Sequence, residues 1–420
     1  MAETADRPLL SEKQVERLKS GVLASAGTRT PEHPTRPEIR LLHPDFHADP
    51  GPHYEWMRRE APVYWDDHSG IWGIARYEDI MEVARDHDTF CSGEGSRPQG
   101  RAPQMINCDP PEHNLRRGIV SAGFTPRRVE AHEPYLREKV TQLIDALVER
   151  GSGDFVRDLA TPLPMYMIGA LMGLPEEDHA KLLHWSDIFA AGNFDDVDGL
   201  LAAVGEYNRY MHPIVTGRQG NEGEDLISLV VNADFEGQQL SLDDVISEAM
   251  LILVGGDETT RHVMSGGFEA LMRHRDQWEA LRTDRSLLKG AIEEMLRWVT
   301  PVKNMSRTAT RDVEFGGQQI RKGEKLLLLY PSGNRDEDVF EDPYRFDIRR
   351  SPNLHMAFGG YGRHHCLGAQ LARLELRVLF DELLDRLPDI ALAEPDAPLD
   401  MRRGSFVLGL ESLPVVLEGS

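Results

Sequence analysis

The hydrophobic positions of this chain recur at helical spacing over most of its length. For about 230 residues, apolar side chains repeat every three or four positions, the period of one helix face. The helices predicted from this pattern span 76–86, 128–150, 162–173, 176–190, 199–216, 241–273 and 288–299, with another after Cys366. A hairpin is predicted from 63–65 and 71–75, and short strands from 312–329 and 388–417. The pattern therefore predicts a mainly α protein with a small β portion.

The helical region contains no Gly/Ser-rich linker, so the sequence predicts a single domain over residues 46–420. Its sheet-rich portions are expected near 62–75, 312–329 and 388–417. Residues 1–45 are predicted to form a partly ordered N-terminal arm. One helix in this arm is expected to begin at the capping box from Ser11 to Gln14.

The segment 241–273 predicts a helix long enough to cross the molecule. It begins at a capping box from Ser241 to Asp244, and at 1.5 Å per residue it would be about 50 Å long. Its middle, 249–254, is apolar on every side, which predicts burial on every side. Two glycines, two acids and two threonines follow at 255–260, and such breaks of local rules often mark functional sites. A glycine notch for close helix packing, with threonines bonded to the preceding turn, explains this segment equally well.

Composition and charge exclude several classes of protein. The net charge of −23 opposes general binding to nucleic acid or anionic lipid. The longest apolar run, 249–254, is too short for a membrane span, and the N-terminus lacks the pattern of a secretory signal. The chain's three cysteines have unrelated spacings and predict no disulfide framework. These features favour a cytoplasmic protein without a membrane span.

The loop 358–368 carries the strongest chemical signal. It contains glycines, basic residues and Cys366, and a good helix-forming segment follows it at 369–375. A cysteine at a helix N-terminus is favoured as a thiolate, because free N–H groups and the helix dipole stabilise the negative charge. A lone cysteine is more often an inert small hydrophobe. Flanking glycines and basic residues favour the thiolate.

Two other interpretations of this loop fail. A dinucleotide-binding loop would need a glycine where His365 stands, and no strand-helix-strand unit surrounds it. A zinc site built from His355, His364, His365 and Cys366 lacks a second cysteine at ligand spacing.

Five motifs together resemble those of the cytochrome P450 family, and they occur in the family's order. The loop 358–368 resembles the family's cysteine-ligand loop, and 255–260 resembles its oxygen-activation motif. Glu294 and Arg297 match its Glu-x-x-Arg pair, 343–346 matches the segment that supplies a third member, and 109–113 with Arg117 resembles its haem-propionate helix. The resemblance covers nearly the whole chain from about residue 45. It implies the cytochrome P450 fold, a long central helix over a buried haem.

The resemblance implies haem b as cofactor, with Cys366 as the axial ligand of the iron. The other residues expected at the haem are His113, Arg117, Gly255, Arg307, Phe358, His364 and Gly368. Arginine and histidine side chains among them are candidates for the two propionates. In one respect the chain departs from the usual pattern: Phe358 stands eight residues before Cys366, where most soluble members have seven.

The resemblance assigns proton delivery to Glu258 and Thr259. Activation of dioxygen needs two protons in an otherwise dry pocket. The Thr259 hydroxyl would hold the oxygen or a water, and Glu258 would relay protons from solvent. Gly255 and Gly256 would keep the helix open, and local widening of this kind is common at functional sites.

Glu294 and Arg297 have two interpretations. An i,i+3 pair is usually a solvated surface contact of a few tenths of a kcal/mol. The resemblance instead implies a buried structural network of Glu294, Arg297 and Arg345 that braces the cysteine loop. In such a network, loss of one member costs about 3–5 kcal/mol.

The resemblance also implies partners and a reaction. Electrons would come from a ferredoxin and a ferredoxin reductase, because the chain has no flavin or nicotinamide motif. A basic patch on the cysteine side would receive the ferredoxin; it comprises Arg363, His364, His365, Arg373 and Arg377, with Arg127 and Arg128. The expected reaction inserts one atom of O2 into a C–H bond of a lipophilic substrate. A haem-thiolate sensor without turnover is the remote alternative.

Several stretches most resemble actinobacterial sterol side-chain oxidases, which hydroxylate C26 or C27. They are 161–165, 255–262, 291–298, 301–304 and 409–416. The expected substrate is therefore a cholesterol or cholestenone type of sterol, with a terpenoid or polyketide as the alternative. The expected pocket residues are Val254, Val302, Phe406 and Leu408.

Overall fold

The computed structural model describes residues 31–98, 100–191, 196–235 and 237–417 of the chain. The described helices are α1 (Pro44–Ala48), α2 (Gly51–Glu60), α3 (Tyr77–Arg85), α4 (Glu112–Ser121), α5 (Pro126–Ala131), α6 (Glu133–Arg150), α7 (Pro162–Met172), α8 (His179–Ala191), α9 (Val197–Arg218), α10 (Leu226–Val231), α11 (Leu242–Arg273), α12 (Arg275–Thr283), α13 (Leu288–Val299), α14 (Tyr330–Gly333) and α15 (Ala369–Arg386). Short 3₁₀ turns lie at Met105–Asn107, Ala122–Phe124, Glu176–Asp178 and Arg285–Leu287, and a π turn at Val156–Ala160. The predicted helix at Ser11 lies outside the described residues.

The strands form small sheets at the side of the helices. They are β1 (Val63–Asp66), β2 (Ile71–Ile74), β3 (Phe90–Cys91), β4 (Ser152–Asp154), β5 (Met305–Ala309), β6 (Val313–Phe315), β7 (Gln318–Ile320), β8 (Lys325–Leu328), β9 (Ile390–Leu392), β10 (Asp400–Met401), β11 (Leu410–Ser412) and β12 (Pro414–Leu417). The largest sheet has the order β1-β2-β8-β5-β3, in which only β2 and β8 pair in parallel. The others are β4-β12-β9, β10-β11 and β6-β7. The predicted mainly α fold with a small β portion is confirmed.

The long helix predicted at 241–273 is confirmed as α11. Ser241 caps its N-terminus, where the Ser241 hydroxyl accepts a hydrogen bond from the backbone N–H of Asp244. The helix packs against α7, α8, α9 and α13, so its middle lies inside the main hydrophobic core. Because α11 is α-helical from end to end, the predicted widening at Gly255 and Gly256 is wrong.

One predicted helix is divided in two. The pattern at 128–150 predicts a continuous helix, whereas α5 ends at Ala131 and α6 begins at Glu133. Pro134 lies in the first turn of α6. A proline cannot continue a preceding helix, because its ring clashes with the carbonyl four residues earlier, so a new helix starts here.

The N-terminal side of the chain joins the folded body earlier than the sequence predicts. Ile39 and Leu41 are buried and pack in one cluster with Leu327 and Leu329, at the end of β8. The predicted boundary between residues 45 and 46 also falls within α1. Packing against the largest sheet therefore begins at or before residue 39.

Candidate active site

A cavity of about 240 Å³ separates the middle of α11 from the loop that precedes α15. Cys366 lies in this loop, and its thiol faces the cavity. Its backbone N–H donates to the carbonyl oxygen of Phe358 at 2.9 Å, which fixes the loop around the cysteine. Burial raises the pKa of the Cys366 thiol, while the Gly368 N–H, Arg117 and Arg373 oppose that rise. The site therefore encloses a sulfur ligand and directs donors and cations toward it.

The loop residues predicted to contact the cofactor lie together on this wall. Phe358, Gly368 and Cys366 all line the cavity. The Phe358 ring also packs under the Arg373 guanidinium, 4.6 Å from its centroid. The longer loop contains Gly359 with φ of 92°, a backbone conformation that glycine adopts without strain. Phe358 thus reaches the cavity despite the extra residue.

Four basic side chains line the same cavity without an acidic partner among the described residues. They are His113, Arg117, Arg307 and His364. His113 is buried and neither of its ring nitrogens has a hydrogen-bond partner. Its ring lies 4.3 Å from that of His364, whose pKa burial lowers to about 2. Buried donors and guanidinium groups without a counter-charge fit two carboxylates of a bound group, as the two propionates of haem require.

The opposite wall of the cavity is the face of α11 that carries Gly255 and Thr259. A side chain at Gly255 would meet only open space, whereas one at Gly256 would collide with Ile168 of α7. The Thr259 hydroxyl donates to the Gly255 carbonyl at 2.7 Å. The interpretation as a glycine notch for helix packing therefore applies to Gly256, which contacts α7. The interpretation as a functional site applies to Gly255, which leaves space beside Thr259.

Glu258 does not face the cavity, contrary to the expectation that it stands beside Thr259 there. Successive residues on a helix point about 100° apart, so Glu258 turns away from the Thr259 side. Its carboxylate is fully buried; Oε2 lies 2.7 Å from Nη1 of Arg402, and Oε1 pairs with Arg261. Arg402 precedes β11 and was not identified from the sequence. Proton transfer by Glu258 would require it to leave these two arginines.

The sequence analysis gave no role to two buried carboxyl groups near the site, those of Asp257 and Glu375. Asp257 pairs with Arg261 through one oxygen at 3.1 Å, while its other oxygen has no partner, and burial raises its pKa to about 7. Glu375 of α15 lines the cavity, and burial, followed by the charge of Asp257, raises its pKa well above the usual range. The sequence pattern could have indicated that Glu375 is buried, because this residue lies on the apolar face of α15, at helical spacing from Leu371 and Val378.

The Glu294 network is buried, but its third side chain is not the predicted one. Arg297 and Glu294 are fully buried and paired at 2.7 Å. The guanidinium of Arg345 is 66% exposed, and only its backbone carbonyl accepts a bond from Arg297. Arg350 supplies the third side chain, with Nε 3.1 Å from Oε2 of Glu294. The prediction of Arg345 is therefore wrong, because the turn at 342–350 directs Arg350 inward and Arg345 to solvent.

A second part of the cavity, about 260 Å³, extends from Thr259 toward the loop 96–107. The two parts are adjacent and share six lining residues: Ile106, Leu251, Gly255, Thr259, Val302 and Met305. Val254, Val302 and Phe406, three of the four expected pocket residues, line the second part. Leu408 does not line either part, because it is buried against Gly404 of its own segment, and Val407 lines the cavity instead.

The predicted basic patch is smaller than the sequence indicates. Arg373 pairs with Glu293 at 2.7 Å and Arg377 with Glu133 at 2.9 Å, so both are largely neutralised. Arg363 remains exposed on the cysteine side. Among the described residues there is no cluster of three or more potential metal ligands.

A long helix across a cavity, facing a cysteine thiol exposed to that cavity and cations without acidic partners, fits a haem-thiolate protein. A family model described as Cytochrome P450 matches residues 215–412 of the chain. The steroid C26-monooxygenases of Mycolicibacterium smegmatis and Mycobacterium tuberculosis are 47% and 45% identical to it, and the matches cover 92% and 91% of this chain and 98% of each relative. The chain belongs to the cytochrome P450 family. It is therefore a monooxygenase that uses haem b.

Solved structures agree with this assignment. A cytochrome P450 of Mycobacterium marinum in complex with pseudoionone has a TM-score of 0.83 and is 35% identical, with 93% of this chain and 100% of that chain covered. A structure from Bacillus megaterium in complex with testosterone also has a TM-score of 0.83, at 33% identity, with 89% and 99% covered. Within the described part of the chain, no helix combines the length and hydropathy of a membrane span.

Proposed function

We propose that this enzyme hydroxylates a terminal methyl group, C26 or C27, of a cholesterol or cholestenone type of side chain. The observation that carries the proposal is the pair of adjacent, mainly apolar cavity parts that together extend from Cys366 to the loop 96–107. A long lipophilic molecule fits such a space end-on. The steroid C26-monooxygenase names of the two bacterial relatives support the same substrate.

The proposed haem site uses the residues that converge on the cavity. Cys366 would bind the haem iron, and Phe358, Gly255 and Gly368 would pack against the haem. His113, Arg117, Arg307 and His364 hold the two propionates. Haem bound through a thiolate supplies the cleavage of dioxygen and the insertion of one oxygen atom into a C–H bond.

Thr259 is the proposed proton donor within the cavity. Its hydroxyl already lies on the cavity face of α11, and rotation away from the Gly255 carbonyl would direct its proton to dioxygen. Glu258 is the proposed relay behind it. Because Arg402 and Arg261 hold Glu258, the relay operates only when these ion pairs open.

Hydroxylation at a terminal methyl requires geometry to override intrinsic reactivity. The tertiary carbon of the side chain has the weaker C–H bond, so the enzyme must hold the chain end-on. Val254, Val302 and Phe406 provide apolar wall for this purpose. Burying about 300–400 Å² of apolar sterol surface contributes about 7–10 kcal/mol before the costs of association.

A ferredoxin, reduced by a ferredoxin reductase, is the proposed electron donor. The exposed Arg363 and Arg127 on the cysteine side would attract an acidic partner. We also propose a cytoplasmic location, because Cys91, Cys108 and Cys366 are free thiols, as a reducing compartment keeps them.

Turnover with a surrogate ferredoxin pair tests the substrate. Cholesterol, cholest-4-en-3-one, a set of terpenes and a macrolide would be incubated with the holoenzyme, and the products separated by mass spectrometry. A 26- or 27-hydroxylated sterol is expected. Good turnover of a terpene or macrolide without any hydroxylated sterol would refute the sterol substrate.

The Cys366→Ala variant tests the proposed ligand. It should lose the long-wavelength Soret band of the reduced carbon monoxide complex, because Cys91 and Cys108 do not line the cavity. Cys91→Ala is the matched control and should keep the band. Retention of the band in Cys366→Ala would refute the assignment.

A further inference from the structure

Two arginines line the second cavity part, away from Cys366: Arg101, which is exposed, and Arg97, which is half-buried in its apolar wall. Arg97 lines the part that extends toward α8 and α9 and does not line the part that contains Cys366. Its guanidinium carbon lies 4.0 Å from the centroid of the Phe406 ring. Stacking of this kind occupies the face of a guanidinium and leaves the N–H donors at its edge available.

Among the described residues, no carboxylate pairs with Arg97. Within the protein, the Arg97 guanidinium donates to the Phe189 carbonyl, which lies 3.4 Å from Nη1. This distance is long for a hydrogen bond, and it uses one of the five N–H donors of the guanidinium. Burial lowers the pKa of Arg97 to about 10, but an arginine side chain stays protonated in proteins. A positive charge is therefore placed in an apolar wall with most of its donors unused.

A half-buried cation without a charged partner is costly, and a ligand that supplies an acceptor oxygen removes part of that cost. Two other polar side chains of this cavity part already have partners within the protein. The Gln104 amide donates to the Ser247 carbonyl, and the Asn107 amide oxygen accepts the Ser96 N–H. The donors of Arg97 thus remain for a bound molecule.

We propose that Arg97 binds the oxygen at the end of the substrate remote from the oxidised carbon. The proposal rests on the proposed function, in which a sterol enters side chain first, so that its ring oxygen reaches this wall. Because guanidinium is a donor without acceptor sites, it favours a ketone or another pure acceptor at that end. A molecule of the same shape without oxygen would leave the charge unpaired.

Equilibrium binding to the ferric holoenzyme tests the proposal, with the Soret shift as readout. The matched ligands are cholest-4-en-3-one and cholest-4-ene, which differ by the ring oxygen. The wild-type protein is expected to bind the ketone about 10- to 100-fold more tightly, the range for a hydrogen bond to a charged group. Arg97→Met should bind the two ligands equally, and Arg97→Lys should retain part of the preference.

The exposed Arg157 is the matched control, because it lies outside the cavity lining and is 73% exposed. Arg157→Met should keep the wild-type preference. Equal affinities of the wild type for the two ligands, or an unchanged preference for the ketone in Arg97→Met, would overturn the proposal. Arg97 would then have only a structural role, as the donor of a hydrogen bond to the Phe189 carbonyl.

A second ligand pair separates this proposal from the proposed sterol substrate. If neither steroid binds, the sterol substrate is refuted, and palmitic acid and hexadecane are compared with the same variants. A wild-type preference for the acid that Arg97→Met loses would support Arg97 as the oxygen-binding residue of another lipid. Absence of that preference would overturn both proposals.

Discussion

Replacement of Arg350 by methionine should destabilise the enzyme, whereas the same change at Arg345 should not. Arg350 is 9% exposed; its Nε lies 3.1 Å from Oε2 of Glu294. Its other nitrogens donate to three carbonyl oxygens, those of Glu341, Asp342 and Arg345, at 2.6, 3.2 and 3.0 Å. Arg345→Met removes a solvated guanidinium that is 66% exposed, with a nearest carboxylate at 3.9 Å.

The magnitude follows from these contacts. Breaking a buried charged network costs about 3–5 kcal/mol, and an exposed pair about 0–1 kcal/mol. A protein of this length has an unfolding entropy of about 0.9 kcal/mol per kelvin, so Arg350→Met should lower Tm by about 3–6 °C and Arg345→Met by about 1 °C or less. Differential scanning calorimetry of the two holo variants at one scan rate measures the difference.

The carbon monoxide difference spectrum provides a second readout. Glu294 also accepts bonds from the Asp347 N–H and the Asn353 amide, which lie in the segment leading to the cysteine loop. Loss of Arg350 should therefore shift part of the reduced complex to the short-wavelength, thiolate-free form. Equal Tm values for the two variants, or a larger loss for Arg345→Met, would refute this account of the network.

Three further predictions concern the cavity and its buried acids. Thr259→Ala should leave sterol affinity nearly unchanged but slow product formation about 10²-fold or more, with electrons diverted to peroxide; an unchanged product yield per nicotinamide oxidised would count against Thr259 as proton donor. Burial raises the pKa of Asp257 to about 7, so the folded state keeps a proton that the unfolded chain releases near pH 4, and stability falls as pH rises between these values. The difference in Tm, Asp257→Asn minus wild type, should therefore be larger at pH 8 than at pH 5. A difference that does not change with pH would contradict the raised pKa of Asp257. Leu408→Ala should lower the free energy of unfolding by about 2–5 kcal/mol without changing sterol affinity, whereas Phe406→Ala should weaken sterol binding. Calorimetry and sterol titration measure the two effects. Weaker sterol binding by Leu408→Ala, with unchanged binding by Phe406→Ala, would refute the assignment of Phe406 rather than Leu408 to the cavity wall.

The sequence predicted elements best where the pattern was local and strong. The helix from Leu242 to Arg273 carries its own capping box and an apolar middle, so its bounds follow from the chain alone. The division at His132 depended on one proline in the first turn of α6, which helical periodicity does not register. Short helices such as α1 and α10 were missed, because five or six residues are too few for a period to appear.

The sequence predicted which residue types form the site better than it predicted where their side chains point. Cys366, Thr259 and the propionate candidates meet at one cavity because short motifs hold them. The direction of Glu258 depends on Arg402, which lies 144 residues away in the chain, and no local pattern links the two. The choice between Arg345 and Arg350 depends on a turn whose path the sequence does not show. Long-range pairing of charges therefore accounts for most of the difference between expectation and structure.

The two adjacent glycines of α11, Gly255 and Gly256, differ in how readily they accept a larger side chain, and this difference can be used in protein engineering. A methyl group added at Gly256 would lie 2.2 Å from Cδ1 of Ile168, so a substitution at that position requires the Ile168 side chain to move. At Gly255 the same methyl group would meet nothing within 4 Å, and it would enter the space next to Thr259. Alanine or serine at residue 255 would therefore narrow the space between Thr259 and the proposed haem without disturbing the apolar core. A library at this codon could redirect oxidation from one carbon of a substrate to its neighbour.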